Sequence, residues 1–297
     1  MPAALAIARG LHMAGCFLLF GTSGLATVLL PPNWRQDLQK PLRFMAWSGF
    51  AILLIAGVAW FILESASMVG AETLSDVWSA LPIVASSTRF GELLIGRSLA
   101  LMAAVLFFQF GLSRIAAIFA GLALAAEAWL GHGGAMTGAI GTILLIASIC
   151  HLLSGGVWLG SLPALWLAIK RLPLKEAGEM AWRFSPIGIA CVIGLIASSS
   201  AQYAFLIGTP RSLLNNGYGL LASFKIVLLL GLLALATLNR QKLTPALLAG
   251  DESARRVLLR SVQMEVALGL FVLLAAGLLL QLTPPSMALM LHQQGGS

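Results

Sequence analysis

The chain has 297 residues, of which 59% are hydrophobic and only 10% are charged. Soluble domains carry about 25% charged residues, so this composition excludes an ordinary soluble protein. The net charge of +7 does not indicate nucleic-acid binding, because the basic residues lie mainly in short loops beside apolar runs.

Apolar runs recur along the whole chain, and a run of about 20 residues is long enough to cross about 30 Å of hydrocarbon as a helix. We therefore predict an all-α, polytopic membrane protein. It forms a bundle of eight transmembrane helices in a single integral-membrane domain over residues 1–297. The predicted spans are 4–30, 43–68, 90–112, 115–131, 138–169, 184–208, 218–238 and 260–282.

Basic residues favour one set of loops. The loops after the odd-numbered spans contain Arg35, Lys40, Arg43, Arg114, Lys170, Arg171, Lys175, Arg183, Arg240, Lys242, Arg255, Arg256 and Arg260. The loops after the second, fourth and sixth spans contain only Arg89 and Arg211. By the positive-inside rule the first set is cytoplasmic, which predicts that both termini are periplasmic.

The first predicted span contains three metal-donor side chains within little more than one turn, His12, Met13 and Cys16. His12 and Cys16 are four residues apart and therefore lie on one face of a helix. A single buried Met or Cys is more often a packing residue. A histidine ring in hydrocarbon needs a polar partner or a ligand, so His12 is the stronger candidate.

The fourth and fifth predicted spans are separated by a Gly-rich break that contains His132. Glu127 precedes this break, and Met136 lies four residues after His132. His151 lies about 13 residues into the fifth span, which at 1.5 Å per residue places it near the bilayer midplane. We expect His132 at the outer mouth of a site and His151 a step further inward.

The fifth predicted span also contains three glycines, Gly155, Gly156 and Gly160. Glycines along a membrane helix allow neighbouring helices to approach closely. We interpret them as packing positions in preference to a functional kink.

Six charged residues are expected toward the outer ends of their spans. They are Arg9, Glu64, Glu92, Arg97, Glu127 and Lys225. A charged group inside a membrane costs at least about 2.5 kcal/mol on the insertion scale, so such groups face the bundle interior and usually pair. These six residues can be interpreted either as a buried network of charges that neutralise one another or as part of an ion pathway.

The donor types narrow the choice of metal. Thiol and thioether donors with imidazole suit Cu(I), whereas imidazole alone suits Cu(II), zinc or haem iron. No GxSxG, HExxH, P-loop or dinucleotide motif occurs in the sequence, so we predict no enzymatic activity.

Several motifs resemble one known family. His151-Leu152-Leu153 followed by Trp158-Leu159-Gly160 resembles the HLL-x4-WLGG signature of the bacterial copper resistance protein D (CopD) family, and Gly131-His132-Gly133 resembles its GHA motif. Further matches are Arg9, His12, Thr88, Phe90, Gly91, Arg97, Phe184, Ser185, Tyr218, Gly219, Lys225, Leu238, Asn239, Arg240, Thr244 and Pro245. Gly133 replaces the usual alanine and Ser161 replaces the second glycine, but neither change removes a candidate ligand.

The resemblance implies a bacterial inner-membrane protein that handles copper and receives it from a periplasmic carrier of the CopC type. Copper as Cu(I) or Cu(II) would be its cargo, and copper, the carrier and membrane lipid its partners. On this hypothesis copper meets His12 and His132, with Met13, Cys16, Met136 or Glu127, and then passes His151. Two alternatives remain open: a haem-binding redox protein with axial histidines, and a receptor that holds copper without transporting it.

Overall fold

The computed structural model describes residues 2–131, 134 and 136–286. These residues form helices and no strand. The α-helices are α1 (Pro2–Val28), α2 (Pro32–Val69), α3 (Leu74–Ser87), α4 (Arg89–Gln109), α5 (Ser113–Ala126), α6 (Gly138–Arg171), α7 (Leu174–Gln202), α8 (Gly217–Leu238), α9 (Thr244–Leu248) and α10 (Glu252–Leu279). Short turns of 3₁₀ or π-helix extend α5, α7 and α8 over Glu127–Leu130, Tyr203–Ile207 and Asn239–Leu243.

Eight helical segments of the described chain are long and apolar enough to cross a membrane. They are Ala3–Val28, Asp37–Val69, Arg89–Gln109, Ser113–Leu130, Gly138–Arg171, Leu174–Ile207, Gly217–Leu248 and Glu252–Leu279. The predicted all-α fold with eight membrane helices is therefore confirmed.

The boundaries differ from the prediction where basic residues follow apolar ones. Helix α2 begins at Pro32, α7 at Leu174 and α10 at Glu252, each about ten residues earlier than hydropathy predicts. Lys, Arg and Glu are good helix formers, so a helix continues past the hydrocarbon into water. Hydropathy detects only the apolar part of such a helix.

The predicted loop between the second and third spans contains a separate helix, α3, that is too short to cross the membrane. Its first turn is closed by a capping box. The Thr73 side chain accepts a hydrogen bond from the backbone N–H of Asp76, and the Asp76 carboxylate accepts one from the N–H of Thr73. Trp78 and Ile83 are exposed on this helix.

Helix α1 occupies the centre of the bundle and packs against α2, α5, α6 and α10. Two of these contacts depend on glycine. A Cβ atom added to Gly160 of α6 would overlap the backbone carbonyl of Phe17, and one added to Gly15 would lie 2.6 Å from the carbonyl oxygen of Gly49 on α2. The expectation that Gly160 serves close helix packing is confirmed.

The two ends of the bundle differ in charge. One end, which we call the basic end, contains the end of α6 and the beginnings of α7 and α10. Arg255 joins these helices, because its guanidinium donates to the carbonyl oxygens of Lys170 at 2.6 Å and Leu172 at 2.9 Å. The positive-inside rule predicts that the basic end faces the cytoplasm and that the opposite end faces the periplasm.

Candidate functional site

His12 and Cys16 form a buried pair of metal-donor side chains on α1. His12 Nδ1 donates a hydrogen bond to the backbone carbonyl of Leu53 at 2.8 Å, which leaves the lone pair of a neutral imidazole on Nε2. That Nε2 lies 3.7 Å from Cys16 Sγ. Two donors at this separation can share one metal ion with bonds of about 2.0 Å to nitrogen and 2.3 Å to sulfur.

Aromatic and charged side chains cover the α2 side of this pair. The Trp60 ring lies 5.5 Å from the His12 ring, between centroids, and the Arg9 guanidinium lies 4.9 Å from the Trp60 centroid. Trp60 Nε1 donates to the Glu64 carboxylate at 3.0 Å. Arg9 lies over the face of Trp60 and Glu64 at its Nε1 edge, and no direct ion pair joins Arg9 and Glu64 among the described residues.

Arg97 and Glu127 form an ion pair beside Cys16, with both side chains buried. Arg97 also donates from Nε to the backbone carbonyl of Ala123 at 2.8 Å, and its Nη2 lies 4.0 Å from Cys16 Sγ. The carbonyl and the carboxylate fix the guanidinium in place. A positive charge and a negative charge therefore stand next to the donor pair.

A cavity of about 320 Å³ lies next to the neighbouring face of α1, which carries Met13 and Phe17. It is lined mainly by apolar side chains, and Met13 and Glu127 lie on its wall together with His151, Lys225 and Trp158. We call it the outer cavity. Glu127 thus belongs both to the surroundings of Cys16 and to the wall of the cavity that contains His151.

His151 is held by serine hydroxyls of α7. Its Nδ1 lies 3.1 Å from Ser198 Oγ and 3.4 Å from Ser199 Oγ, and the Ser198 hydroxyl donates to the carbonyl of Gly194 at 2.7 Å. The Ser198 oxygen therefore accepts from His151 Nδ1–H. No partner for His151 Nε2 is present among the described residues, which leaves that nitrogen to a ligand or water.

Lys225 of α8 shares the outer cavity with His151. Across the part of the chain that the structure describes, no carboxylate lies within 4.0 Å of its ammonium group. The cavity wall therefore carries one acid, Glu127, and one base, Lys225, that do not pair with each other.

His12 and His151 lie at similar depths in the bundle. Helices α1 and α6 run parallel and touch where Gly160 meets both Phe17 and Gly21. Counting back nine residues along each helix from this contact brings His151 level with residues 8–12 of α1. The two histidines are thus separated laterally and not by successive steps of depth, since His151 lines the outer cavity beside Met13 whereas His12 faces Leu53 and Cys16.

The remaining expected site residues are dispersed. His132 lies outside the described residues, so its position relative to the pair is a prediction. Met136 precedes α6 and is half-buried, whereas Glu92 is exposed in the first turn of α4. Of the expected charge network, the described side chains form one direct ion pair, Arg97–Glu127. They contain no group of three or more His, Cys, Asp or Glu side chains arranged to hold a metal ion.

A second polar group, toward the basic end, escaped the sequence analysis. Glu265 of α10 is only 2% exposed, and Asn239 Nδ2 donates a hydrogen bond to its carboxyl group. Both residues line a separate cavity of about 200 Å³, the inner cavity, together with Arg240. The sequence does contain an indication of this group, because Glu265 is an acidic residue within the predicted span 260–282.

Trp158 lies between the two cavities. It is buried, and it is the one residue among the described wall residues that lines both the outer and the inner cavity. The indole therefore forms a partition between the space around His151 and the space around Glu265.

Comparison with known proteins identifies relatives over most of the chain. Residues 1–142 match the family model described as "Copper resistance protein D-like, N-terminal domain", and residues 178–279 match the one described as "Copper resistance protein D". His151 and Trp158 lie between the two matched ranges.

Individual relatives agree with these matches. Copper resistance protein D of Pseudomonas syringae pv. tomato is 27% identical over 80% of this chain and 81% of its own length. Inner membrane protein YebZ of Escherichia coli (strain K12) is 25% identical over 93% of this chain and 97% of its own. Copper transport protein CutJ of Bacillus subtilis (strain 168) is 27% identical over 56% of this chain and 30% of its own. No solved structure gives a significant match.

Proposed function

Because this chain belongs to the copper resistance protein D family, we propose that it takes copper from the periplasm and carries it inward across the membrane. It is a multi-pass inner-membrane protein whose relatives are named for copper resistance and copper transport. Copper is the proposed substrate, and it would pass through the interior of the helical bundle.

The observation that carries the proposal is the 3.7 Å separation of His12 Nε2 and Cys16 Sγ inside the bundle. Imidazole and thiolate are the donors that Cu(I) prefers. The hydrogen bond from His12 Nδ1 to the Leu53 carbonyl supports it further, since a metal-binding histidine usually donates its other N–H to an acceptor of this kind.

The surrounding charges fit a monovalent cargo. Coordination replaces the Cys16 thiol proton, so Cu(I) and the thiolate together add no net charge to the buried site. The Arg97–Glu127 pair is already neutral as a unit. A divalent ion would add an uncompensated positive charge beside the Arg97 guanidinium, so we favour Cu(I) at this pair.

Glu127 and Met13 provide the link to the rest of the route. Both line the outer cavity, and so does His151, whose Nε2 has no hydrogen-bonding partner in the described part of the chain. We propose that copper passes from the His12–Cys16 pair along this wall to His151, and then past Trp158 to the basic end. The path bends sideways around α1 before it turns inward.

Delivery of copper is assigned to the end opposite the basic end. Met136 lies just before α6 at that end, and we propose that a periplasmic CopC-type carrier releases copper to Met136 and to His132, which lies outside the described residues. Copper-dependent cross-linking between the carrier and a cysteine placed near Met136 tests the partner separately from transport.

Copper uptake into proteoliposomes tests the function. We expect wild-type protein to accumulate Cu(I), and His12→Ala and Cys16→Ser to accumulate far less at equal incorporation. Cys150→Ser is the matched control, because Cys150 is exposed on the same helix as His151 and lies outside the proposed path. Uptake by folded His12→Ala and Cys16→Ser proteins at the wild-type rate would overturn the path, and wild-type uptake no greater than in protein-free liposomes would overturn transport.

The same preparation separates the two alternatives. Copper that binds to the purified protein without entering the liposomes would indicate a receptor. A Soret absorption band in protein purified from its native membrane would indicate haem. We expect no such band, because His12 Nε2 faces Cys16 and His12 is not among the described wall residues of the outer cavity that His151 lines.

A further inference from the structure

We propose that Glu265 is a proton-binding site that opens to the inner cavity and that it exchanges a proton as copper crosses the bundle. The coupling to copper rests on the proposed transport function; the proton site itself does not. Glu265 is buried near the middle of α10 and is not one of the copper ligands proposed above.

The surroundings of Glu265 favour a neutral carboxyl group. Its hydrogen-bonding partner is the amide of Asn239, which carries no charge. No Lys, Arg or His nitrogen lies within 4.0 Å of the carboxyl oxygens in the described part of the chain. An ionised carboxylate buried without a counter-charge is strongly unfavourable, and protonation removes that penalty.

The charged groups that face this carboxyl are few. The inner cavity is formed by α6, α7, α8, α10 and the segment between α8 and α10, and Arg240 is the one other ionisable residue among its described wall residues. The Arg240 guanidinium is engaged by the Ser185 hydroxyl and lies 5.7 Å from the Trp182 ring centroid. Arg240 is therefore an exposed residue of the cavity wall, and it forms no ion pair with Glu265.

The cavity supplies the route for a proton. Its volume of about 200 Å³ is enough for several waters, each of which occupies about 30 Å³ in the liquid. The Glu265 oxygen that does not accept from Asn239 has no hydrogen-bonding partner among the described residues. Hydroxyl and amide groups of Ser185, Asn239 and Thr244 line the same cavity and can hydrogen-bond to such waters.

Copper that passes Trp158 meets no soft donor that would hold it among the described wall residues of the inner cavity. No imidazole, thiol or thioether is present among its described wall residues, which offer only oxygen donors and the Arg240 guanidinium. Oxygen donors suit hard cations, but a divalent hard cation takes about six oxygen ligands and usually more than one carboxylate. A single carboxyl group without a counter-charge within 4.0 Å in the described part of the chain suits a proton instead.

Infrared spectroscopy tests the proton site directly. In pH-difference spectra of the full-length protein in lipid, we expect a carbonyl stretching band of a protonated carboxyl group that disappears in Glu265→Gln. Glutamine preserves the shape of the side chain and still accepts from Asn239, so the variant keeps its packing. Glu252→Gln is the control, since Glu252 is exposed at the start of the same helix. A band that persists in Glu265→Gln would overturn the proton site.

The coupling between copper transport and proton movement is measured in proteoliposomes that contain a pH-sensitive dye and to which Cu(I) is added. We expect wild-type protein to move protons together with copper and Glu265→Gln to show proton movement at the level of protein-free liposomes, while both proteins bind copper equally. If the wild type takes up copper and Glu265→Gln moves as many protons as the wild type does, the coupling would be overturned. Absence of copper uptake by the wild type would overturn the proposed transport and its coupling, whereas the infrared result would still decide the proton site.

Discussion

The carboxylate of Glu127 pairs with the guanidinium of Arg97 across two neighbouring helices, and the same carboxylate lies on the wall of the outer cavity. The pair is the only direct contact between opposite charges in the membrane interior of the described chain. The Arg97 end of the pair therefore lies beside Cys16, and the Glu127 end lies on the route that we propose for copper.

Loss of one partner of this pair leaves the other buried without compensation. We expect Glu127→Gln to lower the free energy of unfolding by about 3–5 kcal/mol, because the Arg97 guanidinium loses its counter-charge. Reversible unfolding in mixed detergent micelles measures this change. Glu179→Gln is the control, since Glu179 meets Arg183 at 3.8 Å on an exposed surface, where the effect is about 0–1 kcal/mol. Equal effects of the two substitutions would contradict a buried ion pair.

The contact between α1 and α6 gives a second prediction. Gly160→Ala places a methyl group against the Phe17 carbonyl, which belongs to the backbone and cannot rotate away. We expect a loss of about 1–3 kcal/mol, the range for overpacked cores. A Cβ at Gly24 meets no atom within 4 Å, so Gly24→Ala should stabilise the helix by about 1 kcal/mol. The same unfolding assay compares both variants, and a stable Gly160→Ala protein would show that the helices are further apart.

Replacement of Trp158 tests whether this residue partitions the two cavities. In Trp158→Ala the outer and inner cavities, of about 320 and 200 Å³, become continuous. We expect faster copper flux into proteoliposomes and a weaker dependence of that flux on Glu265. Trp158→Phe retains an aromatic ring and serves as the control. A folded Trp158→Ala protein with wild-type flux would show that copper does not pass this residue.

The histidines of the Gly-rich break and of α6 are tested in cells. We expect His132→Ala and His151→Ala to reduce cellular copper accumulation at equal expression, since each removes a nitrogen donor from the proposed route. Cys150→Ser again provides the control, because it alters the residue next to His151 on an exposed surface. Parental copper content in both histidine variants would contradict the route.

Local sequence information predicted those parts of the structure that depend on local chemistry. Eight apolar runs predicted eight spans, and the four-residue spacing of His12 and Cys16 predicted their contact on one helix face. The predicted beginnings of α7 and α10 were too late, because the polar residues before the apolar run also favour a helix.

Contacts between distant segments were not accessible in the same way. The sequence identified Arg97 and Glu127 among six charges in the spans, but their pairing depends on how α4 and α5 pack. The similar depth of His12 and His151 depends on the register of α1 against α6. The structure was required for both, as it was for the meeting of Glu265 with Asn239.

X-ray absorption at the copper edge tests most directly whether the His12–Cys16 pair binds copper. For wild-type protein loaded with one equivalent of Cu(I), we predict one sulfur and at least one imidazole nitrogen in the first coordination shell. Cys16→Ser should lose the sulfur contribution, His12→Ala should lose imidazole scattering, and Cys150→Ser should match the wild type. A wild-type copper spectrum that Cys16→Ser and His12→Ala leave unchanged would contradict the account.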